Sequence, residues 1–115
     1  MNGAVRRGDL FWVDWNPGRG SEQVGVRPAL VVQNDVGNEH GSTTIVAAVT
    51  TRTGRAYPFQ VGVTAAESGL PRDSSVMLNQ LQTIDKARLR EWVGQVGPAR
   101  MAEVDRALHL SLGLL

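Results

Sequence analysis

The most constraining feature of this sequence is a series of short apolar runs, rich in β-branched residues and separated by turn residues. The runs cover residues 10–15, 29–34, 42–50, 57–63, 74–84 and 91–96. Runs of this length at this spacing predict the strands of an antiparallel barrel or sandwich. Residues 74–84 are long enough for one long strand or a hairpin, and Pro58 suits an edge strand or the start of a strand.

The C-terminal segment has a different periodicity. Pro98 follows Gly97, which is the arrangement expected at the first residue of a helix. Apolar residues then recur at spacings of three and four, at Met101, Val104, Leu108 and Leu112. This pattern predicts an amphipathic terminal helix packed on the sheet. A shorter helix is predicted at residues 85–90, with Asp85 as its N-cap.

Length and composition narrow the class of protein. A chain of 115 residues is expected to form one domain over residues 1–115. Twelve basic and eleven acidic residues leave a net charge of +1, which argues against a polybasic tail but permits a local nucleic-acid site. The absence of cysteine excludes disulfides, thiolate zinc sites and cysteine nucleophiles. With no apolar signal core and no membrane-length run, we expect a soluble cytoplasmic protein without a membrane partner.

The segment with the clearest chemical content is the glycine-rich stretch 17–28. Pro17 and Pro28 bracket it, and it exceeds the roughly two to five residues of common hairpin loops. Its polar side chains are Arg19, Glu22, Gln23 and Arg27. Two cations, an acid and an amide on one long loop indicate a site for a polyanion. The alternative is a solvated hairpin whose charges only maintain solubility.

Six short motifs occur in a characteristic order along the chain. In chain order they are RGD (residues 7–9), GSEQ (20–23), GVRP (25–28), LVVQND (30–35), VAAVT (46–50) and QLQTID (80–85). This ordered set resembles the MazF/PemK family, the toxins of bacterial type II toxin–antitoxin pairs. The resemblance extends from Arg7 to the terminal helix.

The resemblance implies a mainly β protein with short helices, an SH3-like barrel with a C-terminal amphipathic helix. Members of the family are homodimers that act as sequence-specific mRNA interferases. They are endoribonucleases that need no metal or other cofactor. They cleave single-stranded RNA by attack of the 2′-hydroxyl, which leaves 2′,3′-cyclic phosphate and 5′-hydroxyl ends. The resemblance further implies a cognate MazE-like antitoxin whose extended acidic tail covers the RNA-binding surface.

The same resemblance assigns the catalytic residues. Arg27 of the GVRP motif is the principal one, Thr50 is its partner at the phosphate, and Glu22 has a supporting role. The chemistry suits these side chains, because arginine is permanently cationic and binds phosphate through two N–H groups, and a threonine hydroxyl donates to the same oxygens. Thr51 follows Thr50 directly, so a shift of one residue in strand register would exchange their faces.

Further residues are candidates for contact with RNA. Trp15 and Tyr57 flank predicted loops and could stack on unpaired bases, whereas Trp12 and Phe59 are expected in the core. Arg52 and Arg55 form a local basic pair that could hold the RNA backbone, the alternative being a solvated loop. The resemblance places Asn79 and Gln82 near the recognition face, where the family often has an acidic and a basic residue respectively. The full set of predicted RNA-binding residues is Trp15, Arg19, Gln23, Thr51, Arg52, Arg55, Tyr57, Asn79, Gln80 and Gln82.

Other polar residues have a simpler interpretation. Arg72 and Asp73 are expected to pair with each other. His40 falls in a predicted turn and His109 in the terminal helix, and two isolated histidines do not form a metal site. We therefore predict no bound metal.

Two alternatives to the nuclease remain open from the sequence. One is a non-enzymatic, CcdB-like toxin that poisons DNA gyrase on the same fold. Such toxins commonly end in a tail that contains tryptophan, whereas this sequence ends in HLSLGLL, residues 109–115. The other is a plain SH3-like binding module, which would explain the barrel but not the loop motifs.

Overall fold

The computed structural model describes residues 4–15, 25–51 and 57–114. The strands are β1 (Asp9–Asp14), β2 (Val26–Val31), β3 (Thr43–Thr50), β4 (Gln60–Val63), β5 (Ser74–Asp85) and β6 (Leu89–Gln95). The helices are α1 (Asp35–His40), α2 (Ala65–Ser68) and α3 (Pro98–Leu112), and a 3₁₀ turn covers Lys86–Arg88. The strand prediction is confirmed for all six apolar runs.

The six strands form one antiparallel sheet in the order β4-β5-β3-β2-β1-β6. The mainly β fold with a C-terminal helix is confirmed, but the sheet is not closed, since the described parts of β4 and β6 are its two ends. Residues 74–84 form one long strand rather than a hairpin. A shift in the β3–β5 register between Ala47 and Ala48 accommodates the length of β5.

The central strands are buried on both faces of the sheet. One face carries Leu10, Leu30 and Val49, and these pack with Val104 and Ala107 of α3. The opposite face carries a second cluster, formed by Val13, Trp15, Ala29, Val31, Val46, Ala48 and Ile84. Because side chains alternate between faces, a strand buried on both sides has a nearly continuous apolar sequence, as β2 and β3 do. Burial of each such Val or Leu side chain stabilises the fold by about 1.5–3 kcal/mol.

The sequence pattern predicted the start of α3 correctly and predicted a longer helix after Asp85 than the structure contains. Helix α3 begins at Pro98 after Gly97, as predicted, and ends before Gly113, which has a φ of 69°. The predicted N-cap Asp85 accepts a hydrogen bond from the backbone N–H of Ala87 at 2.8 Å. The helix it caps is only a single 3₁₀ turn, because the chain from Leu89 onward pairs with β1. No helix in the described ranges has the length and apolar character needed to span a membrane.

The two shortest helices were not predicted. His40, expected in a turn, is the last residue of α1, which Asn34 caps by accepting from the N–H of Gly37 at 2.8 Å. Helix α2 has four residues and a capping box between Thr64 and Glu67. Helices of one turn are too short to show an apolar period, so their capping residues are the only sequence signal for them.

Candidate functional site

The register between β2 and β3 brings Arg27 and Thr50 together. Ala29 lies opposite Ala48 and Leu30 opposite Ala47. Extending this antiparallel register by two residues places Arg27 directly across from Thr50. Residues directly opposite in an antiparallel pair have their side chains on the same face. Two motifs that are distant in sequence therefore meet at one end of the sheet.

Both residues border a cleft of about 330 Å³ at this end of the sheet. Its other walls come from β1 and from the segment that connects α2 to β5. The lining is half apolar and half polar. The apolar residues are Trp12, Pro28, Val49, Leu70 and Pro71, and the polar ones are Arg27, Thr50, Thr51, Arg72 and Ser74. A lining that combines apolar side chains with several polar groups is typical of a ligand-binding cleft.

The outer wall of the cleft is held in place by helix α2. In its capping box the hydroxyl of Thr64 accepts from the N–H of Glu67 at 3.1 Å, and Glu67 accepts from the N–H of Thr64 at 2.8 Å. The guanidinium of Arg100 on α3 also binds Glu67. The hydrogen bonds from Arg100 and from the Thr64 backbone lower the pKa of Glu67 from 4.5 to about 2. This network anchors the residues that lead into Leu70 and Pro71.

The cleft has a positive electrostatic character. Arg7, Arg90 and Arg100 pair with Asp105, Asp14 and Glu67, respectively. In contrast, neither Arg27 nor Arg72 has a carboxylate partner within the described ranges, and both are exposed. Two guanidinium groups at one cleft give a local site for an anion on a protein of small net charge.

Arg72 is a site residue that the sequence interpretation missed. Asp73, its expected partner, instead accepts a hydrogen bond from the backbone N–H of Ala65 at 2.8 Å. The pairing prediction is therefore wrong, and Arg72 is one of the residues that line the cleft. The available sequence signal was the position of Arg72 in a turn between two predicted elements, next to Pro71.

Trp12 and Trp15 have the opposite placements to those that the sequence suggested. Trp15, expected to be accessible for stacking, is only 3% exposed and packs in the core with Val13. Its indole Nε1 donates to the carbonyl oxygen of Arg27 at 3.3 Å, so it supports the backbone of Arg27 from within the fold. Trp12, expected in the core, is half-buried and lines the cleft, where it lies across from Pro28. The expected exposure of Trp15 is wrong, and Trp12 is the cleft tryptophan.

The structure brings together some of the other predicted residues but not all of them. Thr51 is exposed at the cleft. Tyr57 is exposed and stacks on Phe59, with ring centroids 5.2 Å apart, and neither ring lines the cleft. Asn79, Gln80 and Gln82 lie further along β5 and are likewise not part of the cleft lining. The remaining candidates lie outside the described residues, namely Arg19, Glu22, Gln23, Arg52 and Arg55.

Neither histidine lines the cleft; His40 ends α1 and His109 lies on α3. Within the described ranges, no group of three His, Asp or Glu side chains is close enough to hold one metal ion. The groups that the cleft presents are therefore guanidinium and hydroxyl donors, an indole and apolar side chains.

Comparison with known proteins identifies the family. The family model for PemK-like, MazF-like toxins of type II toxin–antitoxin systems matches residues 6–112, and the chain belongs to this family. The resemblance inferred from the sequence motifs is thereby confirmed.

Solved structures agree with this assignment. The fold is similar to that of MazF from Deinococcus radiodurans, with 28% identity, a TM-score of 0.82 and coverage of 97% of this chain and 99% of that one. It is also similar to an endoribonuclease from a mycobacterial species, with 27% identity, a TM-score of 0.79 and coverage of 96% and 93%. A third similar structure is a mycobacterial endoribonuclease in complex with its cognate antitoxin, with 28% identity, a TM-score of 0.81 and coverage of 97% and 98%. These relatives lend no support to the CcdB-like alternative.

Proposed function

We propose that this protein is a sequence-specific endoribonuclease toxin that cleaves single-stranded RNA without a metal ion. The observation that carries the proposal is that Arg27 and Thr50 line the same cleft, with no carboxylate partner for Arg27 among the described residues. The similar proteins from mycobacteria and Deinococcus radiodurans, which are an endoribonuclease and a MazF, support the same activity.

The proposed reaction uses the substrate's own 2′-hydroxyl as nucleophile. The 2′-oxygen attacks the adjacent phosphorus, the bond from phosphorus to the 5′-oxygen breaks, and the products carry 2′,3′-cyclic phosphate and 5′-hydroxyl ends. Negative charge develops on the phosphoryl oxygens during this step. Arg27 binds these oxygens through two N–H groups and Thr50 donates its hydroxyl, so both lower the barrier electrostatically. Glu22, whose placement is not described, is proposed to orient Arg27 or to assist proton movement.

Recognition of the RNA is proposed to use the rest of the cleft. Arg72 contacts a second phosphate, and Trp12 offers an aromatic surface to an unpaired base. Arg19, Gln23, Arg52, Arg55, Tyr57, Asn79, Gln80 and Gln82 remain proposed contacts outside the cleft lining, and Thr51 is a proposed contact within it. The buried Trp15 acts through the backbone of Arg27 rather than by stacking.

We further propose that a cognate antitoxin inhibits the protein by covering this cleft. A MazE–MazF complex from Deinococcus radiodurans is among the similar structures, with 28% identity and a TM-score of 0.78. An extended acidic segment would compete with RNA for Arg27 and Arg72. Addition of antitoxin at full stoichiometry should release a labelled RNA, and a stable ternary complex would contradict this model. A homodimer is proposed as the active form, which sedimentation of the purified chain would test.

The activity test compares wild type with two arginine variants on a long single-stranded RNA in EDTA. Wild type should produce fragments with 5′-hydroxyl ends, and Arg27→Ala should not. Arg106→Ala is the matched control, because Arg106 is exposed on α3 and has no ion pair among the described residues. Mapping the fragment ends would identify the sequence that is cut. Absence of cleavage by folded wild type would refute the proposal, and equal cleavage by Arg27→Ala would refute the role of Arg27.

A further inference from the structure

We propose that Ser75 is an additional catalytic residue, whose hydroxyl donates to the reacting phosphate beside Thr50. The inference rests on the proposed ribonuclease function, which it extends by a residue that the family motifs do not include. Three observations carry it: the position of Ser75 in the sheet, the state of its hydroxyl, and the open space beside it.

The first observation is a row of residues across four strands. Thr50 of β3 lies opposite Ser75 of β5, and Ser75 lies opposite Gly62 of β4. On the other side, β2 pairs with β3 from Ala29 and Ala48 onward, and extending this register by two residues places Arg27 across from Thr50. Directly opposite residues share a face and have Cβ atoms about 4.5–5.5 Å apart. The order of the row is therefore Arg27, Thr50, Ser75 and Gly62, with Thr50 between Arg27 and Ser75. Ser75 is not among the residues that line the cleft, so the proposal places the phosphate over this row, at the edge of the cleft that Arg27 and Thr50 line.

The second observation is that the Ser75 hydroxyl has no hydrogen-bond partner among the described residues. Ser75 is only 9% exposed, yet its hydroxyl forms no hydrogen bond within the described part of the fold. The other two buried serines behave differently, since Ser74 donates to the carbonyl of Arg72 at 2.9 Å and Ser68 donates to that of Thr64 at 2.7 Å. Among the described residues, every side-chain oxygen that is fully shielded from solvent has a hydrogen-bond partner. Since the Ser75 hydroxyl has no partner, it is not fully shielded and retains access to the surface. Buried hydroxyls are normally paired, and an available one next to Thr50 points to an acceptor supplied from outside.

The third observation is the space beside Ser75 on β4. Gly62 carries no side chain, and no atom lies within 4 Å of the position that a Cβ would occupy there. The residue on the outer side of Ser75 therefore leaves room for an incoming group. Glycine weakens a strand, so its presence here is consistent with a close approach by another molecule.

The chemistry of the row fits one phosphoryl group. Two hydroxyls on neighbouring strands can both donate to a phosphoryl oxygen placed above them, while the longer Arg27 side chain reaches the group from the opposite side. Ser75 forms no covalent bond and transfers no proton in this proposal. Its hydrogen bond strengthens as charge develops on the oxygen, so its loss should lower kcat more than it raises KM.

The test measures kcat, KM and thermal stability of Ser75→Ala on a defined RNA containing one cut site. We expect a decrease in kcat of about 10- to 100-fold, a much smaller change in KM and an unchanged Tm, because no hydrogen bond within the described fold is lost. Ser111→Ala, which removes a serine hydroxyl on α3, is the control and should retain wild-type kcat and KM. A purely structural serine would show the opposite pattern, with reduced Tm and unchanged kcat for the folded fraction.

A second variant tests whether the space beside Ser75 at Gly62 is needed for the RNA phosphate to bind. Gly62→Val adds a side chain beside Ser75 at a position where no described atom would clash, and valine suits a strand, so the variant should fold. We expect it to lower kcat/KM by obstructing the phosphate. Wild-type kinetics in either Ser75→Ala or Gly62→Val would overturn the proposal. If wild type cleaves and Arg27→Ala does not, such a result refutes only the role of Ser75, whereas inactivity of wild type itself refutes the ribonuclease function.

Discussion

The guanidinium of Arg100 binds the carboxylate of Glu67 through two hydrogen bonds, Nε to Oε1 at 3.1 Å and Nη2 to Oε2 at 2.9 Å. Arg100 lies on α3 and Glu67 on α2, so the pair joins the C-terminal helix to the short helix beside the cleft. The wall formed by Leu70 and Pro71 follows α2 directly. A contact remote from Arg27 therefore helps to set the shape of the site.

The Arg100–Glu67 pair predicts a specific dependence of stability on pH. Because the folded state lowers the pKa of Glu67 from 4.5 to about 2, the ionised carboxylate contributes its full stability above pH 4.5, and that stability is lost as the pH falls towards 2. Glu67→Gln should lower the free energy of unfolding at neutral pH by about 1–2 kcal/mol, since both partners are partly solvated. The variant should also show a smaller change in the free energy of unfolding with pH between pH 4.5 and 2. Urea denaturation at several pH values would measure both effects.

A double-mutant cycle provides the control for this prediction. Arg100→Gln removes the other partner and also the pair of Arg100 with Glu103, so the double variant should lose less stability than the sum of the two single losses. Additive losses would show that the two side chains stabilise the fold independently. Asp35, whose pKa is also lowered, chiefly by the backbone N–H of Arg7, should preserve part of the acid dependence in all variants.

A close backbone contact predicts that Gly94 does not tolerate a side chain. A Cβ at Gly94 would collide with the carbonyl oxygen of Ser68, which lies at the end of α2 and cannot rotate away as a side chain could. Gly94→Ala should lower the free energy of unfolding by about 1–3 kcal/mol, as measured by chemical denaturation. Gly62→Ala is the matched control, because Gly62 is also a strand residue and no atom lies within 4 Å of its Cβ position. Equal stability of the two variants would contradict this description of the contact.

The two consecutive threonines at the end of β3 should differ in function. Thr50 is the last residue of β3 and, by the extended β2–β3 register, lies across from Arg27, whereas Thr51 lies beyond the end of the strand. Thr50→Val retains the shape but removes the hydroxyl, and it should lower kcat about 100-fold or more if that hydroxyl stabilises the phosphoryl charge. Thr51→Val should change kcat by less than about threefold. Single-turnover cleavage of a defined RNA would distinguish them, and a larger loss in Thr51→Val would reverse the assignment.

Arg72 should contribute to the salt dependence of RNA binding. A guanidinium that neutralises one phosphate releases counterions, so its removal should reduce the slope of log Kd against log salt by about 0.7 for single-stranded RNA. Binding of a non-cleavable RNA, with a 2′-deoxy nucleotide at the cut site, should be measured for wild type, Arg72→Ala and Arg106→Ala. The slope should fall in Arg72→Ala only. An unchanged slope would exclude a phosphate contact by Arg72.

Local sequence patterns predict much of the fold. The β-branched runs predicted all six strands because apolar residues of this type favour extended structure and each run is bounded by turn residues. Pro98 after Gly97, followed by an apolar stripe, predicted the start of α3. The family motifs directed attention to Arg27 and Thr50, and the register of β2 with β3 brings these two residues together.

The tertiary structure decided what local patterns cannot encode. The burial of a tryptophan depends on what packs against its face of the sheet. Trp15 is therefore part of the core, whereas Trp12 lines the cleft. Asp73 accepts a hydrogen bond from the backbone N–H of Ala65, at the start of α2, instead of pairing with Arg72. The alignment of Thr50 with Ser75 depends on a register shift within the β3–β5 pair. Alternation along a strand specifies two faces, but only pairing and packing determine which residues meet across the sheet and which face meets solvent.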